Sequence, residues 1–113
     1  MRITSAWCRP ARSALLVLMA TLPMAATAAA PTETLNRYAC SGCHGMSQKI
    51  VGPGFNEIAA RYKTQKDAAS HLATRIRSGG SGLWGPVPMP PQAAITDAEI
   101  ATVVSWLLSG ANP

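Results

Sequence analysis

The 113-residue sequence has little that would build a sheet, a repeat array or a disulfide framework. Strand-like alternation is nearly absent, so strands are not expected to carry the fold. No segment repeats another and no linker is long enough to divide two domains, which excludes solenoids and multidomain arrangements. Cysteines stand only at 8, 40 and 43, too few for a stapled scaffold. The apolar run from Ala14 to Pro23 is shorter than the roughly 20 residues of a membrane-spanning helix. It is preceded by Arg2, Arg9 and Arg12 without an acid and followed by MAATAAAP. That order is the pattern of a cleavable secretory signal. Ala26-Thr27-Ala28 supplies the small-x-small site, which places a signal peptide at 1–28 and one mature domain at 29–113.

Removing the signal changes the charge argument. The full chain carries a net charge of +5, but residues 29–113 keep seven bases against five acids. Those bases are scattered from Arg37 to Arg77, not clustered on one element, which argues against a nucleic-acid partner. Cys8 leaves with the signal, so the mature chain holds Cys40 and Cys43 alone. A domain of this size buries a small core and gains from a staple or a cofactor.

What is present is helical pattern broken by irregular connections. Thr32–Ala39 reads as a first helix, with Glu33 near its positive end and Leu35 and Ala39 on one face. Val51–Phe55 is a turn by composition, and helices are predicted over Phe55–Arg61 and Asp67–Arg77, the latter stopped by Gly79-Gly80. Ser81–Gln92, SGLWGPVPMPPQ, has four prolines and no helical or strand period, and is expected to be stiff irregular chain. The last helix opens on the capping box Thr96-Asp97-Ala98-Glu99, repeats Ile100, Val103, Val104 and Leu107 at helical spacing, and ends at Gly110.

The chemistry concentrates in Cys40-Ser-Gly-Cys-His44. A zinc site normally takes four protein ligands, and only His71 remains beyond the motif. A thioredoxin-like pair belongs beside a βαβ unit, for which no strands are visible. Cys-x-x-Cys-His is also the attachment pattern of a c-type haem. Two thiols one turn apart reach the two vinyl groups, the adjacent imidazole falls under the iron, and an export signal suits covalent attachment outside the cytoplasm. For the opposite face of the iron the candidates are Met46, His71 and Met89. Met46 lies only two residues past His44, and extended chain advances about 3.5 Å per residue, too little to round the porphyrin. His71 falls mid-helix, where a solvent-exposed histidine is expected. Met89 sits among prolines, where a stiff loop can hold a thioether despite the weakness of its bond to iron, although methionine also serves as a core filler.

CSGCH, then IVGPGF, then LATRIRSGGSGLWGPVPMPPQ, then a capped helix bearing Trp106, together resemble the small bacterial cytochrome c-551/c-552 family within class I cytochromes c. The resemblance covers essentially all of 29–113. It implies an all-α single domain of four to five short helices wrapped around one covalently bound haem c. By the same resemblance Cys40 and Cys43 bear the thioethers, and His44 and Met89 are the axial metal ligands. Pro53 accepts the His44 ring N–H, Arg75 and Trp84 bond a haem propionate, and Leu35 and Ala39 meet the last helix near Trp106. The chain departs from the family at Gln92, where many relatives have asparagine, at Ala39, where glycine is frequent, and at Gly45-Met46.

An iron with both axial positions filled has no place for substrate, and no coherent nucleophile–base set is visible, so the expected role is one-electron transfer and not catalysis. The family implies an apolar rim of Ile50, Val51, Val87, Pro88, Pro90 and Pro91 around the haem edge, with Lys49 steering redox partners that dock transiently. It implies a monomeric periplasmic carrier, without stable membrane insertion, between a quinol-oxidising complex and a terminal reductase or oxidase, nitrite reductase among them. The rival expectations are a haem sensor or peroxidase-like protein in which Met89 dissociates, and a fixed subunit of a respiratory complex.

Overall fold

Four helices form close to where the apolar spacing placed them. The computed structural model describes residues 29–113, so the signal expected at 1–28, with Cys8, lies outside the described residues. Helix α1 spans Thr32–Arg37, α2 Phe55–Tyr62, α3 Ala68–Ser78 and α4 Asp97–Leu108. The spacing in α2 buries Phe55, Ile58, Ala59 and Tyr62 on one face, the i, i+3, i+4, i+7 stripe of an amphipathic helix. In α4 the buried set is Ile100, Val103, Val104, Trp106 and Leu107, and α1, α2 and α3 all pack against this helix. Trp106 is fully buried, and the Phe55 ring meets it edge-on with centroids 5.0 Å apart. Among the described residues no helix is long and apolar enough to cross a membrane.

The capping box of α4 is formed as expected: the Glu99 amide donates to Thr96 Oγ1 at 3.2 Å, and the Thr96 amide to Glu99 Oε2 at 2.9 Å. The same carboxylate joins α1 to α4. It accepts from Arg37 Nη1 at 2.7 Å and from the Tyr38 hydroxyl at 3.0 Å.

Two expectations are corrected. Helix α1 stops at Arg37 instead of Ala39, because Ala39 turns into the left-handed region at φ 54°. That conformation is unfavourable for a residue with a Cβ and accounts for glycine suiting the position. Ala39 is exposed there, so Leu35 enters the core without it. The second correction concerns Ser81–Gln92. Much of this segment is an antiparallel ribbon, β1 (Gly80–Gly82) with β2 (Gly85–Met89), paired Gly80 to Met89 and Gly82 to Gly85 across a bulge. Pro86 and Pro88 alternate with the residues that face β1. A two-stranded ribbon has a free outer edge, where a missing N–H leaves no ladder bond unmade. Prolines and glycines masked the strand signal without preventing the pairing.

Candidate functional site

The motif begins where α1 ends. The left-handed turn at Ala39 starts a short 3₁₀ turn over Cys40–Gly42, in which the Cys43 and His44 amides both donate to Cys40 O. Cys40 and Cys43 are half-buried and not bonded to each other. Burial pushes the Cys40 thiol above its ordinary pKa, so it stays protonated near neutrality.

The residues after the motif fix His44. The Val51 and Gly52 amides return to Cys43 O at 3.1 and 2.9 Å, and His44 pairs with Lys49 in an isolated antiparallel bridge. The Phe55 and Asn56 amides, which have no partner within α2 at its first turn, donate to Gly45 O and Met46 O at 2.8 and 2.9 Å. His44 Nδ1 lies 2.8 Å from Pro53 O. A carbonyl only accepts, so Nδ1 carries the proton and Nε2 keeps the lone pair a metal would take. The ring stacks on Phe55, and through it the site is continuous with Trp106.

All seven residues singled out from the sequence line one cleft. Cys40, Cys43, His44 and Pro53 come from the motif side; Arg75 comes from α3; Trp84 and Met89 come from the ribbon. The unfilled volume, open mouth included, is about 1000 Å³. Met46 packs against the core cluster and His71 is an exposed residue of α3 beside Tyr62; neither lines the cleft. Of the expected apolar rim, Val51, Val87, Pro88 and Pro90 line it, while Ile50 and Pro91 are exposed outside the lining.

Several contributors were not foreseen. Tyr38 and Leu83 join the lining. The Arg61 guanidinium stands 5.0 Å from the Trp84 ring centre, a cation–π contact from α2 to the ribbon turn. Gly52 backs the imidazole so closely that a Cβ there would lie 2.6 Å from His44 Cε1. Only Gly52 left a trace in the sequence, as part of the Gly-Pro-Gly turn. The others follow from which elements meet. Arg75 does not point into the cleft alone: its Nη1 donates to Gly79 O at 3.0 Å and closes the end of α3.

The arrangement suits a planar, largely apolar cofactor held at an edge by two sulfurs. Its lining holds both an oriented imidazole and a thioether among prolines. The comparisons with known proteins agree. The family model described as Cytochrome c matches residues 29–111. Cytochrome c-552 of Hydrogenobacter thermophilus is 41% identical over 93 residues, covering 82% of this chain and 94% of the relative. Cytochrome c-551 of Pseudomonas aeruginosa is 41% identical over 99 residues, covering 85% and 94%. The crystal structure of wild-type Nitrosomonas europaea cytochrome c552 superposes with a TM-score of 0.67 at 38% identity, covering 70% of this chain and 98% of that one.

Proposed function

The chain belongs to the cytochrome c family, small electron carriers that bind one covalent haem c, and from that premise we propose how it holds and uses that group. Cys40 and Cys43 would hold the haem through thioethers, and His44 Nε2 and the Met89 sulfur would bind its iron. Once bound, the haem supplies a one-electron couple. The protein's own part is to hold that couple still and dry. Pro53 O keeps the His44 ring from turning, Arg75 and Trp84 would bond a propionate, and the Met89 thioether would raise the potential by favouring ferrous iron. Bringing seven residues from three parts of the chain into one cleft is the observation that carries this reading.

The carrier works by transient contact. Val51 and Val87 are 48% and 60% exposed at the cleft, with Leu83 at 40% beside them, an apolar rim of the kind small electron-transfer contacts use. Lys49 lines the same cleft and steers docking. The protein is a periplasmic monomer, exported by residues 1–28, with 29–113 as the mature domain. Its donor is a quinol-oxidising complex and its acceptor a terminal reductase or oxidase, nitrite reductase foremost. Like its relatives, it moves electrons and is not an enzyme in itself.

An optical redox titration of the purified holoprotein tests this. A sulfur-to-iron band in the ferric form and a single one-electron wave are expected, with no carbon monoxide binding to the native ferrous protein. Absence of the band together with ready carbon monoxide binding would replace the carrier by a sensor or peroxidase-like protein.

A further inference from the structure

Met89 ends β2, and the two residues after it donate no backbone hydrogen bond. Pro90 and Pro91 have no N–H. The first downstream donor is the Gln92 amide, to Ile76 O at 3.1 Å. Beyond that, the chain is clasped by one side chain that lies outside the cleft lining. Arg77 Nη1 faces the carbonyls of Gln92 at 3.4 Å, Ala93 at 3.2 Å and Ile95 closer still, while Nη2 meets Asp97 Oδ1 at 2.5 Å. Nη1 carries two hydrogens, so the three carbonyls share them.

We propose that Arg77 is a positioning residue for the distal ligand, holding Met89 in place by clasping the chain that leaves it. The proposal rests on Met89 being that ligand. Arg75 and Arg77 are two apart on α3 and do not share a face. Arg75 lines the cleft, and Arg77 reaches the opposite way, toward the first turn of α4. Its guanidinium closes Gln92–Asp97 onto the last turn of α3. From Met89 to Gln92 the chain spans at most about 10 Å, and two of its three steps enter prolines with fixed φ. A shift at Gln92 therefore reaches Met89 instead of being absorbed between them. On the other side there is no slack either: buried Gly79 lies so close to Met89 O, Pro90 and Pro91 that a Cβ there would clash with all three. Ile95 is 2% exposed, so its carbonyl has no easy recourse to water once the arginine is gone.

The test uses ferric holoprotein with Arg77→Met, Arg77→Lys and Asp97→Asn. Three readouts are compared: imidazole affinity, the thermal midpoint of the sulfur-to-iron band, and the thermal midpoint of helix content by far-ultraviolet circular dichroism. Arg77→Met is expected to tighten imidazole binding about tenfold or more, the equivalent of one charge-assisted hydrogen bond. It should also move the band midpoint well below the helix midpoint. Arg77→Lys should recover part of both effects, and Asp97→Asn, which leaves the carbonyl clasp intact, should stay near the parent protein. Unchanged imidazole affinity in folded Arg77→Met would overturn the proposal, as would a band that melts together with the helices in every variant. If Arg77→Met does not fold, Arg77→Lys decides by the same criteria. A parent protein lacking the band would instead overturn the assignment of Met89, and this proposal with it.

Discussion

The His44 wall of the cleft is tied down within one continuous stretch of chain, whereas the Met89 wall depends also on bonds that link it to α3 and to the start of α4. Between Cys40 and Asn56, His44 is fixed by backbone bonds from its own turn, by the returns of Val51 and Gly52 to Cys43, and by Pro53. Met89 is held by the ribbon, by Gln92 on Ile76 and by Arg77 on the chain up to Asp97. The first wall also shares the core through Phe55 and Trp106. The second is built of exposed and half-exposed residues. Regions with few buried contacts open at lower free energy than the core. The two positions proposed to hold the iron therefore differ in how readily they are disturbed, and Met89 is the one expected to give way first.

The largest effect that sharpens this contrast comes from the core. Trp106→Ala should cost about 3–5 kcal/mol, the usual range for deleting a buried large aromatic. Val87→Ala, at the exposed mouth of the cleft on β2, should stay within about 0.5 kcal/mol. Denaturant midpoints of the two holoproteins measure both. Comparable losses would mean that the ribbon is as much a part of the core as α4.

A smaller effect separates two glycines of the proximal wall. Gly52→Ala places a methyl 2.6 Å from His44 Cε1 and 2.9 Å from Nδ1. Overpacking of this kind costs about 1–3 kcal/mol, and here the imidazole has to move, so the reduction potential should shift as well. A Cβ at Gly42 would meet nothing within 4 Å, and Gly42→Ala should be within about 0.5 kcal/mol of neutral. Thermal unfolding and a redox titration of the pair check this. An unshifted potential in Gly52→Ala would show that the ring is held by Pro53 alone.

The helices were legible because each carries its own signal: the Phe55–Tyr62 stripe, the Thr96–Glu99 box, the glycines after α3. That the motif and Met89 would share one cleft was legible because the chemistry they suggest restricts them to few residue types. The ribbon was not, since Pro86 and Pro88 are tolerated only on a free edge, a condition set by tertiary placement. The end of α1 was missed for a related reason, because Ala39 adopts a conformation that its residue type disfavours. Arg77 reads as a solvated helix charge until the return of Gln92–Asp97 beside it is known. Its four acceptors come from a segment fifteen and more residues away, and no local pattern announces them.

The smallest effect expected is that of pH on the latch joining α1 to α4. Hydrogen bonds from the Thr96 amide and hydroxyl hold the Glu99 carboxyl below the usual carboxylate range, with smaller help from Tyr38 and Arg37. A lowered folded pKa means stability that is complete above the ordinary value of about 4.3 and lost as pH falls through the folded one. Tyr38 is raised, first by burial and then by its bond to Glu99. Its contribution is complete below about pH 10 and disappears as pH rises through the folded value. Glu99→Gln should therefore flatten the acid limb of stability against pH, and Tyr38→Phe the alkaline limb, each read from thermal midpoints across pH. Because Tyr38 also lines the cleft, the sulfur-to-iron band provides the discriminating control. A band unchanged by Glu99→Gln at neutral pH keeps the latch separate from the Met89 wall. A weakened band would show that the latch reaches the distal side through Tyr38, and the two walls would then no longer be independent.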